Sequence, residues 1–167
     1  MTNILNTLAL KPAGEHREFG MVFDPIIDGI PYLETLTAFE ARFENGPAGA
    51  YRATLGVADI MLRLDRPKSR VIPYSCPCEE WECWWLSCDI EIHGDFVCWR
   101  RWWNGQRNDR EQKADGLYWD YRELPPLNFA KGPYLAALAE ARKLIEADER
   151  MMRLLTYETK RRGAVHG

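Results

Sequence analysis

From Cys83 to His93 apolar and polar residues alternate. Leu86, Cys88, Ile90 and Ile92 fall on one face, and Ser87, Asp89, Glu91 and His93 on the other, the period of a half-buried strand. His93-Gly94-Asp95 supplies a turn, after which Phe96, Cys98, Arg100 and Trp102 alternate with Val97, Trp99, Arg101 and Trp103 as far as Asn104-Gly105. Two alternating runs around a short turn predict a β-hairpin. Before it, Arg17 to Asp24 alternates through Phe19, Met21 and Phe23, and Val71 to Tyr74 is a short apolar run; both read as strands. After it, the stretch from Gly116 through Trp119-Asp120-Tyr121 to Glu123 reads as a third strand of the hairpin's sheet, ended by Leu124-Pro125-Pro126, and residues 106–116 as a charged loop.

Other segments carry a helical period. Following Pro31, which is tolerated in a first helical turn, Tyr32, Leu36, Phe39 and Phe43 repeat at spacings of four, three and four and predict a helix to about residue 44, where Asn45-Gly46-Pro47 stops it. Tyr51, Leu55, Ala58 and Leu62 repeat more weakly, with Gly56 inside the pattern. The longest pattern opens at Gly132-Pro133 and closes at Gly163 behind Lys160-Arg161-Arg162. Its seam is Tyr134, Leu138, Ala141, Ile145, Met152 and Leu155, Asp148 occupies a middle slot, and Glu146 and Arg150 are spaced as an i,i+4 ion pair. A helix of about 30 residues is about 45 Å long. The half after Asp148 therefore either projects, offering Met151, Met152, Leu154 and Leu155 to another chain, or folds back onto the second helical segment. Residues 1–16 show no clear period, and Lys11-Pro12-Ala13-Gly14 reads as a flexible lead-in.

The order of strands and helices predicts an α+β fold, a mainly antiparallel sheet packed against two or three helices and ending in a long C-terminal helix. One domain is expected over residues 1–167, with a helix-and-sheet core over 17–130 and the long helix over 131–162. A chain of 167 residues buries about two-thirds of its unfolded surface and needs no covalent staple. The net charge of −3 argues against binding driven by overall attraction to phosphate. Residues 1–10 carry neither a basic stretch nor an apolar core, and no run of about 18 apolar residues occurs, so a cytoplasmic protein without a membrane span is expected.

All five cysteines and six of the seven tryptophans lie between Cys76 and Trp103. Five thiols in a reducing compartment are metal ligands, buried thiols or a redox pair rather than a disulfide framework. Residues 76 and 78 point the same way on an extended chain and Cys83 returns to them through a turn, so Cys76, Cys78 and Cys83 form a candidate site for a structural zinc, with Cys88, Cys98 or His93 as fourth ligand. Cys88 and Cys98 also fit as buried small hydrophobes. A thiol-dependent enzyme or redox protein centred on the same three cysteines stays open, as does a pairing of Cys76 or Cys83 with His93. Trp99, Arg100, Arg101, Trp102, Trp103 and Arg107 mix stacking faces with cations, the chemistry of single-stranded nucleic-acid or carbohydrate recognition, but alternation sends half of these rings inward, so core packing with Arg stems over the aromatics is the favoured reading, and Asp109, Glu111 and Asp115 would repel phosphate. The three serines and three histidines form no nucleophile elbow and no His-Glu-x-x-His pattern. With no catalytic constellation, a non-enzymatic binding protein is expected, an immunity-type or inhibitory partner of another bacterial or phage protein. Its candidate contacts are Trp102, Trp103, Arg107, Met151, Met152 and Leu155, and the C-terminal helix is also a candidate for homo-oligomerisation.

Three stretches taken together resemble a group of small bacterial proteins with an "IPLLxCxCGxxGCW" motif and a later "WDY": Asp28 to Leu33 opening a helix, Ile72-Pro73-Tyr74-Ser75-Cys76-Pro77-Cys78-Glu79 with Cys83-Trp84, and Trp119-Asp120-Tyr121 followed by Phe129 and Tyr134 to Leu138. The resemblance spans roughly residues 20–140 and implies a compact α+β fold of bacterial or phage origin; no activity is attached to the group. Glu79 and Glu82 stand where the group has glycines, and the histidine it often carries shortly before "WDY" is absent, since 106–115 holds none.

Overall fold

The computed structural model describes residues 4–43, 48–80, 83–107 and 119–165. Strands β1 (Leu8–His16), β2 (Gly20–Ile27) and β3 (Ile30–Pro31) form one antiparallel sheet. A second antiparallel sheet takes β4 (Arg52–Ala53), β5 (Lys68–Ser75), β6 (Trp85–His93), β7 (Phe96–Asn104) and β8 (Leu127–Ala130) in that order. Isolated bridges between Phe23 and Leu55 and between Asn6 and Phe129 join the sheets at opposite edges. The helices are α1 (Tyr32–Glu40), α2 (Val57–Leu62), α3 (Lys131–Glu146) and α4 (Glu149–Val165). The fold is therefore α+β, with the β6–β7 hairpin at its centre.

The hairpin departs from strict alternation at one residue. Ser87 faces Trp103 and Asp89 faces Arg100, so Cys88 opposes both Arg101 and Trp102 in a β-bulge, and Arg101 takes a left-handed φ of 54°. Ahead of the bulge Val97 and Trp99 point inward; beyond it the inward residues are Trp102 and Asn104. Trp102, read from sequence as a contact for a partner, is instead buried and stacked on Tyr32 with ring centroids 5.0 Å apart. Trp103 turns outward, 43% exposed.

Other segments also differ from the periodic reading: α1 stops at Glu40 rather than near 44, and the strand expected over 17–24 is β2, Gly20–Ile27, with 17–19 in a turn. The lead-in is strand β1: its bulge between Pro12 and Glu15 absorbs Pro12 and Gly14, and as an edge strand it can spare the proline N–H. The second helical segment divides into β4 and α2, because Gly56 is extended and capped by Asp59 Oδ2, which accepts from its N–H at 3.1 Å. A Cβ at Gly56 would lie 2.6 Å from Phe19 Cβ. The expected strand 116–123 is a 3-10 turn at Tyr121–Glu123, its residues 116–118 lying outside the described ones, and the strand beside β7 is β8. The long helix is two helices. The first ends at Glu146, and Asp148 caps the second, its Oδ1 accepting from Arg150 N–H at 2.9 Å; Gly163 lies within α4 rather than closing it. Arg150 pairs with Glu15 at 2.7 Å and with Asp148, not with Glu146.

After the Asp148 break α4 folds back. Met151 is buried against β2, with its Sδ 3.1 Å from Met21 N, and Leu154 and Leu155 are half-buried on the core. Gly20 makes this seat: its φ is 67°, and a Cβ there would meet Leu154 Cδ2 at 2.6 Å and Met151 Sδ at 2.8 Å. Gly20→Ala is expected to cost about 2–4 kcal/mol through strain and overpacking together. Urea denaturation checks this; a loss within experimental error would mean that α4 does not rest on β2.

Candidate functional site: the thiol loop

Between β5 and β6 the chain turns through the cysteine cluster. At the base of the loop Cys76 N–H donates to Trp84 C=O (2.9 Å); inside it Glu79 N–H donates to Cys76 C=O (3.2 Å) and Cys83 N–H to Glu80 C=O (3.1 Å). These turns bring the sulfurs of Cys76, Cys78 and Cys83 within 4.8 Å of one another. Cys76 is buried, Cys83 half-buried and Cys78 exposed. Burial, then the hydrogen bond with Cys83, pushes the Cys76 thiol up to about 12. The Cys78 thiol is lowered, first by the hydrogen bond from Cys76 and then by the Glu80 backbone. The loop thus offers one exposed sulfur disposed to ionise beside two that can donate to it.

The residue that holds the loop is Glu79. Its φ of 62° is the left-handed conformation that favours glycine. In this chain the glutamate side chain compensates. Its carboxylate accepts from Arg52 and lies 3.8 Å from Arg17 Nε and 3.9 Å from His16 Nε2, and its carbonyl accepts from Arg17 Nη2 at 3.3 Å. His16 is buried, stacked on Phe19 at 4.2 Å, and accepts from Glu18 N–H through Nδ1 at 3.1 Å. That bond leaves the proton of the neutral ring on Nε2, so His16 orients Glu79 rather than offering a lone pair to the sulfurs. Burial lowers its pKa. A recess of about 30 Å³ lies between His16, Phe19, Glu79 and Trp84, too small for an organic substrate.

No family model, curated protein or solved structure matches the chain.

The fourth ligands expected from sequence lie elsewhere. Cys88 is fully buried in the core opposite Val71, and Cys98 sits opposite Glu91 further along the hairpin. His93 closes the far end of β6, roughly 25 Å from the loop at strand rise, so it pairs with none of the three sulfurs. Among the described residues the metal-competent group is Cys76, Cys78 and Cys83.

The hairpin's cations are likewise committed. Arg107 is buried between the rings of Trp84 (4.5 Å) and Trp119 (5.0 Å) and faces Glu40 at 3.5 Å, so it packs the interior rather than a contact surface. Arg100 and Arg101 bind Glu91, and Arg101 and Arg70 bind Asp89. The hydrogen bond from His93, followed by those from Arg100 and Arg101, holds the Glu91 carboxyl down to about 2. Its folded pKa lies below the ordinary 4.5, so this stabilisation is present above pH 4.5 and is lost as the pH falls from there towards 2. Glu91→Gln is expected to flatten that part of the stability–pH curve in urea titrations; parallel curves for the two proteins would show that Glu91 contributes no such linkage.

Proposed function

We propose that the chain is a non-enzymatic binding protein whose loop 76–83 is held by a zinc-type metal on Cys76, Cys78 and Cys83. The observation that carries this reading is the approach of the three sulfurs within 4.8 Å. Thiolates about 2.3 Å from zinc in a tetrahedron stand about 3.8 Å apart, so a small contraction would bring the three sulfurs onto the metal, with the fourth position left to water or to a ligand other than the cysteines. Thiolate donors suit zinc and other soft ions, and a site dominated by them favours a structural role over hydrolysis.

The binding face lies next to this loop. Trp85 opens β6 and Trp103 nearly closes β7, both at the cysteine end of the sheet, and their rings meet edge to face at 5.6 Å with Trp103 turned to solvent. A rigid aromatic pair beside a clamped loop suits a protein partner, in an immunity-type or inhibitory role. It suits nucleic acid less well, because Arg70, Arg100, Arg101 and Arg107 already face carboxylates. No described helix is long and apolar enough to cross a membrane.

A thiol–disulfide reading is favoured by one feature, the exposed and acidified Cys78 next to Cys76 and Cys83. In it the Cys78 thiolate attacks a disulfide substrate, expels one thiolate, and is resolved by a neighbouring cysteine. The protein pair is oxidised and the substrate reduced to two thiols. Native mass spectrometry under reducing conditions separates the readings: one zinc per chain supports the metal site, whereas a metal-free chain that reduces a model disulfide replaces it.

A further inference from the structure

We propose that α4 pairs antiparallel with the α4 of a second copy of this chain, forming a twofold dimer. One stripe of α4, Met151 with Leu154 and Leu155, is used against the chain's own core, and Met152, half-buried, packs on the margin of that contact. The face beyond it is left over and forms an open groove along Glu146, Glu149, Arg153, Thr156, Tyr157 and Lys160, with Met152 at its edge. It is amphipathic in its own right, with Tyr157 63% exposed.

The order of charges along this stripe identifies the occupant. Glu149 stands at its start and Lys160 at its end, with Met152 and Tyr157 between them. Reversing the helix about a twofold axis midway between Leu154 and Leu155 sets Glu149 opposite Lys160, Met152 opposite Tyr157 and Arg153 opposite Thr156. Glu149, which also lies 3.9 Å from Arg153 of its own chain, then meets Lys160, and Met152 meets Tyr157, twice over by symmetry. A parallel copy would instead set Glu149 on Glu149 and Lys160 on Lys160. Antiparallel packing also opposes the two helix dipoles. Such self-complementarity is what an isologous interface requires. A helix of 17 residues is about 25 Å long, which limits the contact to the small end of specific interfaces and implies a concentration-dependent dimer weakened by salt.

Sedimentation velocity on the full chain in reducing buffer tests the pairing. The unmodified protein is expected to pass from monomer to dimer with concentration. Glu149→Lys and Lys160→Glu should each weaken association about tenfold or more, since each turns two attractive pairs repulsive. Mixed one to one, the two variants should associate again as a heterodimer, because one chain then carries bases at both positions and the other acids at both. This recovery depends on the register, and circular dichroism of each variant alone shows whether α4 remains helical. A monomer at every concentration overturns the proposal and leaves the groove to a different protein. A dimer insensitive to either reversal, or a pair of folded variants that do not recover on mixing, overturns it equally.

Discussion

Replacing Glu40 with alanine is expected to lower the unfolding free energy by about 3–5 kcal/mol, a large share of the stability of a domain this size. Glu40 ends α1 and is wholly buried. Its Oε2 accepts from the hydroxyls of Tyr51 (2.8 Å) and Tyr121, its Oε1 accepts from Gly49 N–H at 2.9 Å, and Arg107 lies 3.5 Å away. Burial, with the nearby carboxylate adding to it, raises the pKa of Tyr51, and burial raises that of Tyr121 as well, so both phenols stay protonated and able to donate. Asn104 extends the network, donating to the Tyr51 hydroxyl at 2.8 Å and accepting from the N–H groups of Gln106 and Arg107. Removing the carboxylate leaves a guanidinium between two indole rings without its counter-charge and takes the acceptor from Gly49 N–H and from the two phenols, of which one can still donate to the other across 3.5 Å. Urea denaturation followed by tryptophan fluorescence measures the loss. The double variant Glu40→Leu with Arg107→Leu should recover part of it, since removing both charges costs less than stranding one. A loss below about 1 kcal/mol for the single alanine would mean that the network carries no net stabilisation.

This network shows where sequence reading stopped. The seam of α1 was legible because Tyr32, Leu36 and Phe39 are apolar at helical spacing and buried; Phe43 is buried too, but the helix ends at Glu40, short of the expected residue 44, and Phe43 lies in the turn that follows. Glu40 follows Phe39 with no apolar signal, and its partners come from residues 49, 51, 107 and 121, so nothing local marks it as interior. Arg107 read as a surface cation for the same reason. Its burial depends on Trp84 and Trp119 closing over it from two separate parts of the chain.

The hairpin was legible to within one residue, and that residue decided which tryptophan faces out. Period-two alternation carries no mark for a bulge at Arg101, a non-glycine in a left-handed conformation, so the phase change between Trp99 and Trp102 became visible only in the strand register. The break at Asp148 did have a local signal. An aspartate in the middle of an apolar seam is a helix cap as readily as a flaw in the stripe, and α4 begins one residue later. In the thiol loop, spacing identified Cys76, Cys78 and Cys83 as a group. Their clamp was not legible, because Glu79 is held by His16, Arg17 and Arg52 across 27 to 63 residues of sequence.

Zinc added in excess to the reduced protein is expected to raise its unfolding free energy by about 4 kcal/mol when free zinc stands about a thousandfold above its dissociation constant. The increment follows from binding to the folded loop alone, where the turn hydrogen bonds and the Glu79 clamp have already brought the three sulfurs together. Cys76→Ser should remove essentially all of it, since the buried sulfur is the one that exposed groups cannot replace. Cys78→Ser should reduce affinity by at least tenfold while water takes the vacated position on the exposed side. Cys98→Ser, on the hairpin away from the loop, should leave the zinc response unchanged and so separates ligand loss from general destabilisation. Because zinc displaces thiol protons, the response should strengthen as the pH rises, with Cys76, pushed up to about 12, giving up its proton only to the metal near neutrality. Denaturation midpoints with and without zinc, read across these variants and pH values, decide the matter: an equal zinc response in the protein and in Cys76→Ser would place the metal elsewhere and return the three thiols to packing and redox chemistry.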